Sequence, residues 1–122
     1  MSFDRVRAVF EELSQVFDAC GDSNWDGYGA QAVREETYHL AHQVLAALPL
    51  STPLPSIGAE PDGHITVEWY RSPQRTLSVS ISSDGELHFA ALLGSAKTYG
   101  TEPFTGAMPK IVADLIHRVT AA

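Results

Sequence analysis

Three sets of residues in this chain carry side chains that could do chemistry. His39 and His42 lie three apart in a stretch of helical periodicity, so their imidazoles could ligate a metal with a third group. No cysteine or second histidine pair accompanies them, and Glu35 and Glu36 suit a solvated helix face. An exposed helix accounts for the pair without a metal. Ser80, His88 and Glu68 supply the hydroxyl, imidazole and carboxylate of a small hydrolase, and alternation places all three on one face of a sheet. Catalytic serines, however, sit on strained turns beside backbone donors, and a flat solvated face lacks a water-excluding pocket. A Ser/Thr ladder suited to strands explains these residues equally. Gly27-x-Gly29 precedes a helix as phosphate loops do, but it lacks the following Gly-Lys-Ser/Thr and the preceding strand, and Asp26 would repel phosphate. The reading is therefore of no catalytic residues, no metal ligands and no cofactor.

The elements that must position these residues follow from periodicity. Phe3, Val6, Phe10, Leu13, Phe17 and Cys20 recur at spacings of three and four, widened by Val9 and Val16. They predict an amphipathic helix from near Ser2 to Gly21. Cys20 falls on its apolar stripe, where a thiol packs and stays inert. Val33, Thr37, Leu40, Ala41, Val44, Leu45 and Leu48 predict a second helix, ended by Pro49, Pro53 and Pro55. Its cap is weak, because Arg34 stands where Ser or Asp would serve.

From Ser56 to Leu93 the period becomes two. Strands are expected at Ser56–Glu60, His64–Tyr70, Thr76–Ser82 and Glu86–Leu93. Parity fixes their register. Three-residue loops at Pro61-Asp62-Gly63 and Ser83-Asp84-Gly85, with a five-residue loop from Arg71 to Arg75, set Ile57 opposite Val67, Trp69 opposite Leu77 and Ile81 opposite Leu87. Every odd position from Ile57 to Leu93 then shares one apolar face. A loop from Gly94 to Gly106, with a short edge strand at Lys97–Tyr99, leads to a final helix beginning near Thr105 or Gly106. Pro109 falls in its first turn and Met108, Ile111, Val112, Leu115, Ile116 and Val119 on its buried stripe. The expected fold is a single α+β domain over residues 1–122: two N-terminal helices, a four-stranded antiparallel β-meander and a C-terminal helix, with the helices packed on one face of the sheet.

Composition narrows the class. A chain of 122 residues buries roughly two-thirds of its unfolded surface and needs no disulfide or metal to fold. One cysteine rules out an internal disulfide and fits a reducing compartment. No signal-peptide core or membrane-length apolar run is present, so a cytoplasmic location without membrane contact is expected. Net charge is −7; residues 1–50 carry 8 acids and 3 bases, residues 51–122 carry 7 acids and 5 bases. That sign disfavours direct nucleic-acid binding and favours a protein partner with a basic surface.

The string Asn24-Trp25-Asp26-Gly27-Tyr28-Gly29-Ala30 joins the two N-terminal helices. Two glycines permit positive φ, and two large aromatics are costly to leave idle in water. It reads as an ordered joint, a recognition knob, or both. Together with Pro53-x-Pro55-x-Ile57 and Asp62-Gly63-x-Ile65 leading to Glu68-Trp69, it resembles a family of small bacterial and phage-associated proteins that share an Asn-Trp-Asp-Gly-Tyr-Gly-Ala loop. The chain departs from that pattern where Ala32-Val33-Arg34-Glu35-Glu36 replaces Pro-Ile-Ser-Glu-Glu. The resemblance implies no particular activity; it implies a toxin–antitoxin or phage–host conflict setting.

The leading expectation is thus a non-catalytic acidic protein that blocks or neutralises a protein partner, as antitoxins, immunity proteins and anti-CRISPR-type inhibitors do. Trp25, Asp26 and Tyr28 would anchor the partner, Glu35 and Glu36 would flank them, and Asp18 and Asp22 would steer. Two other classes stay open: a small hydrolase or metal-dependent enzyme on the polar sheet face, and a homodimer formed through the sheet's open face or edge.

Overall fold

The computed structural model describes residues 3–49 and 51–121. Ser2, and the side chains of Phe3 and Val6 expected on the first apolar stripe, lie outside what it describes. The chain runs α1 (Phe3–Cys20), α2 (Glu35–Ala46), β1 (Ser56–Ala59), β2 (Ile65–Ser72), β3 (Arg75–Ile81), β4 (Glu86–Leu93), β5 (Ala96–Pro103) and α3 (Lys110–Thr120). The strands form one antiparallel sheet in the order β1-β2-β3-β4-β5.

The register follows the parity argument. Ile57 pairs with Val67 and Ala59 with Ile65. Trp69 pairs with Leu77, and Val67 with Val79. Ile81 pairs with Leu87 and Val79 with Phe89. The β2–β3 connection is tighter than expected, because a register shift after Tyr70 lets Ser72 pair with Arg75. Ile65, Val67, Leu77, Val79, Ile81 and Leu87 are fully or almost fully buried. They form one core with Leu13 of α1, Val44 of α2 and Val112 and Val119 of α3. Each such side chain contributes about 1.5–3 kcal/mol through loss of water contact. α1 meets α2 and β1, α2 meets β2 and β3, and α3 meets β2, β3 and β4.

Three expectations need correction. The sheet has five strands, not four: β5 is a full strand of eight residues rather than a short edge at Lys97–Tyr99. Its core side presents Ala96, Thr98, Gly100 and Glu102 opposite Leu93, Ala91, Phe89 and Leu87, so it lacks the apolar alternation that marks its neighbours. The final helix begins at Lys110, not near Thr105 or Gly106. Pro109 is its N-cap, with φ −57° and ψ 140°, rather than a first-turn residue. Met108, which precedes a proline, is biased away from helical backbone, yet it still packs on the core. Ile111 is 40% exposed and not on the buried stripe. The weak cap of α2 is as expected: Arg34 makes no side-chain capping bond.

Trp69 and Arg75 tie the sheet to distant segments. The buried Trp69 indole N–H donates to the Pro53 carbonyl at 2.7 Å, pinning the proline-rich stretch before β1. The Arg75 guanidinium donates to the carbonyls of Arg118 at 2.8 Å and Ala121 at 2.6 Å.

Candidate functional site

The aromatic loop between α1 and α2 is closed by its own polar groups. Asn24 has φ +61°, and Gly27 and Gly29 have φ +78° and +86°. That backbone turns successive N–H groups inward. Gly27 N–H donates to the Asn24 carbonyl at 3.1 Å. Tyr28 N–H and Ala30 N–H both donate to Asp26 Oδ1, at 2.8 and 3.1 Å. Gly29 N–H donates to Asn24 Oδ1 at 2.6 Å. Gln31 N–H reaches across to the Pro61 carbonyl at 2.8 Å, docking the loop on the first hairpin. With these donors consumed, the loop offers no phosphate cradle.

The loop residues divide into supports and a tip. Trp25 is half-buried against the core, and its indole N–H donates to the Gln31 carbonyl at 2.8 Å. Asp26 is half-buried and spent on the loop backbone. Tyr28 is 93% exposed. Asp18, Asp22, Glu35 and Glu36 are exposed carboxylates on the flanking segments, the last two in the first turn of α2. Sequence reasoning grouped Trp25, Asp26 and Tyr28 as equivalent anchors; the geometry gives them different contacts.

The helical histidines diverge. His39 Nε2 lies 3.4 Å from Glu35 Oε1, whereas His42 stacks on Phe10 with ring centroids 4.3 Å apart. Each imidazole has its own partner, and neither belongs to a group of three converging ligand atoms among the described residues.

On the polar sheet face, Ser80 stands opposite both Thr66 and His88, as parity required. Its side chain contacts other residues. Ser80 Oγ donates to Glu60 Oε2 at 2.5 Å and lies 3.1 Å from His64 Nδ1. Glu68 instead accepts from Ser78 Oγ at 3.3 Å, and His88 Nδ1 meets Thr101 Oγ1 at 2.9 Å. A hydroxyl carries one proton, and here it goes to the Glu60 carboxylate. His64 Nδ1 also lies 3.5 Å from Asp62 Oδ2, so the ring sits between a hydroxyl and a carboxylate and its tautomer sets its role in each contact. Glu60 and His64 were missed in the sequence, although the Pro61-Asp62-Gly63 loop that sets Ala59 opposite Ile65 also sets Glu60 opposite His64.

The two Asp-Gly hairpins repeat a spacing of acid-x-acid-x-His. Glu60, Asp62 and His64 bring their ligand atoms within 4.8 Å of one another, and so do Asp84, Glu86 and His88. One nitrogen and two oxygens suit a first-row divalent ion by donor type. The His64 and His88 rings run nearly parallel, 6.4 Å apart. Asp84 is held below its ordinary pKa, first by the Ser82 hydroxyl at 2.5 Å and then by the Glu86 N–H at 2.9 Å. An open depression of about 190 Å³ between the segment leading into α2 and these hairpins includes Arg34, Asp62 and His64 in its lining. That is below the roughly 300–1,000 Å³ of typical small-molecule sites.

Comparison of the chain with protein-family models, curated proteins and solved structures gave no match. Among the described residues, no helix is long and apolar enough to cross a membrane.

Proposed function

We propose that this chain is a non-catalytic, acidic protein-binding module that blocks or neutralises a basic protein partner in the cytoplasm, in the manner of antitoxins, immunity proteins or anti-CRISPR-type inhibitors. The observation that carries the reading is the exposure of Tyr28 on a loop whose N–H groups from Gly27 to Gln31 are all bonded. An aromatic side chain held out by a closed backbone network binds with little further loss of freedom. Tyrosine combines a large apolar contact with a polar tip, which suits an interface anchor. Trp25 and Asp26 act as positioning residues for it. Asp18, Asp22, Glu35 and Glu36 supply the field that draws in a positively charged surface. We further infer that all three helices cover the odd-numbered face of the sheet and leave the opposite face open. The resemblance carried by the Asn24–Ala30 loop supports the same setting.

The test is capture from the native host with the intact chain as bait, using wild type, Tyr28→Ala and Tyr70→Ala. The reading expects a basic protein to co-purify with wild type and with Tyr70→Ala but not with Tyr28→Ala. It also expects association to slow as salt rises. Equal capture by wild type and Tyr28→Ala, or association indifferent to salt, overturns it.

A further inference from the structure

The two edges of the sheet are built differently, and that difference identifies a second interaction surface. Glu60 N–H bonds the His64 carbonyl at 2.9 Å, so alternation turns the N–H groups of Ile57 and Ala59 to the outer side of β1. That edge is short, α1 lies against it, and the Glu12 carboxylate takes the Ile57 N–H at 3.1 Å. It is guarded in the way soluble proteins guard exposed strands. At the other edge, Phe104 N–H bonds the Gly85 carbonyl at 2.9 Å. The same alternation directs Ala96, Thr98, Gly100 and Glu102 at β4 and leaves the N–H and C=O groups of Lys97, Tyr99 and Thr101 pointing away from the sheet. No register shift interrupts β5, and among the described residues no helix meets it.

We propose that β5 pairs antiparallel with β5 of a second copy, joining two sheets across a two-fold axis at Tyr99. A two-fold axis normal to the sheet keeps side chains on matching faces, so partners must share parity. Centring on Tyr99 sets Tyr99 against its own copy and Lys97 against Thr101. Each outward N–H then meets an outward carbonyl, and Pro103, which has no N–H to give, ends the ladder. Tyr99, 81% exposed in the single chain, would lie against the same ring of the second copy on the open face. The register itself suits a second copy: centred on Tyr99 it sets Lys97 against Thr101 and Ala96 against Glu102, so no like charges stand opposite one another. The net charge of −7 on each molecule opposes the approach, and β5, with one Lys and one Glu, adds nothing to that repulsion. The contact is small, so the assembly forms reversibly with concentration.

Sedimentation equilibrium of the full chain tests this. Wild type gives a dimer mass that falls toward monomer on dilution. Tyr99→Lys, which sets like charges opposite each other at the axis, and Thr101→Pro, which removes an outward N–H, give monomers with an unchanged circular dichroism spectrum. In a Cys20→Ser background, Tyr99→Cys cross-links to its own copy under mild oxidation whereas Leu92→Cys does not. Tyr28→Ala dimerises like wild type, which separates this surface from the anchor loop. A wild-type chain that stays monomeric to millimolar concentration overturns the proposal, as does dimerisation unaltered in folded Tyr99→Lys.

Discussion

The Phe89 ring occupies the space that a side chain at position 100 would need: a Cβ built on Gly100 would lie 2.9 Å from Phe89 Cζ. Phe89 is 5% exposed and wedged into the core, so its ring has little room to retreat. Gly100→Ala should destabilise the fold by about 1–3 kcal/mol through overpacking. Urea unfolding would read this as a lower midpoint with an unchanged slope.

The aromatic loop should divide energetically along its hydrogen bonds. Asp26→Ala removes the acceptor for the N–H groups of Tyr28 and Ala30, at about 0.5–1.5 kcal/mol for each bond lost. Trp25→Phe keeps most of the packed ring and loses the bond to Gln31, for about 0.5–1.5 kcal/mol. Amide exchange at residues 27–31 should accelerate more in Asp26→Ala than in Trp25→Phe.

Asp84 gives a pH dependence of defined sign. Its folded pKa lies below the ordinary 3.8, with the Ser82 hydroxyl as the largest cause, the Glu86 N–H next, and smaller contributions from His88 and His64. A carboxyl lowered by folding contributes stability above its unfolded pKa and loses it as pH falls through the folded value. Wild type should therefore exceed Asp84→Ala in unfolding midpoint from neutral pH down to about pH 4, and the gap should close with further acidification. A gap that widens on acidification would contradict the assignment.

Cys20 is the chain's only thiol, and it is buried at the end of α1. Burial pushes its pKa up, which leaves less of the reactive thiolate at mildly alkaline pH. Alkylation by iodoacetamide at that pH should be slow in native buffer and should complete rapidly in denaturant.

Glycine at position 63 meets two demands at once. Its φ is +89°, and a Cβ there would lie 2.9 Å from the Ala32 carbonyl oxygen, because the hairpin tip abuts the strand of chain that follows the aromatic loop. Gly63→Ala should destabilise by more than about 1 kcal/mol, with the Gln31–Pro61 bond weakened alongside. The measurement is thermal unfolding, together with exchange at the Gln31 amide.

What could be read from the sequence was whatever alternation and turn length determine together. Two loops ending in Asp-Gly and a run of odd-numbered apolar residues admit one register, and Ile81 against Leu87 follows by counting. β5 was only partly legible, because its core-facing positions are small or polar and Phe89 from the neighbouring strand fills the space they leave. The start of α3 was misplaced because proline is tolerated both at a helix's first position and at its cap, and only the backbone angle at Pro109 decides. Within the candidate site, the exposure of Tyr28 and the half-burial of Trp25 depend on how the loop closes, which composition does not encode. The Glu60–Ser80–His64 contacts depend on rotamers across two strands, which strand parity leaves open.

The Arg75 guanidinium sits at the first residue of β3 and holds carbonyls at the far end of α3. Carbonyls at a helix end lack the partners of the interior, and a donor reaches these two from a strand some forty residues earlier. The end of α3 is thereby tethered to the start of β3, so fraying of that turn breaks contacts with the sheet as well as its own Ala121–His117 bond.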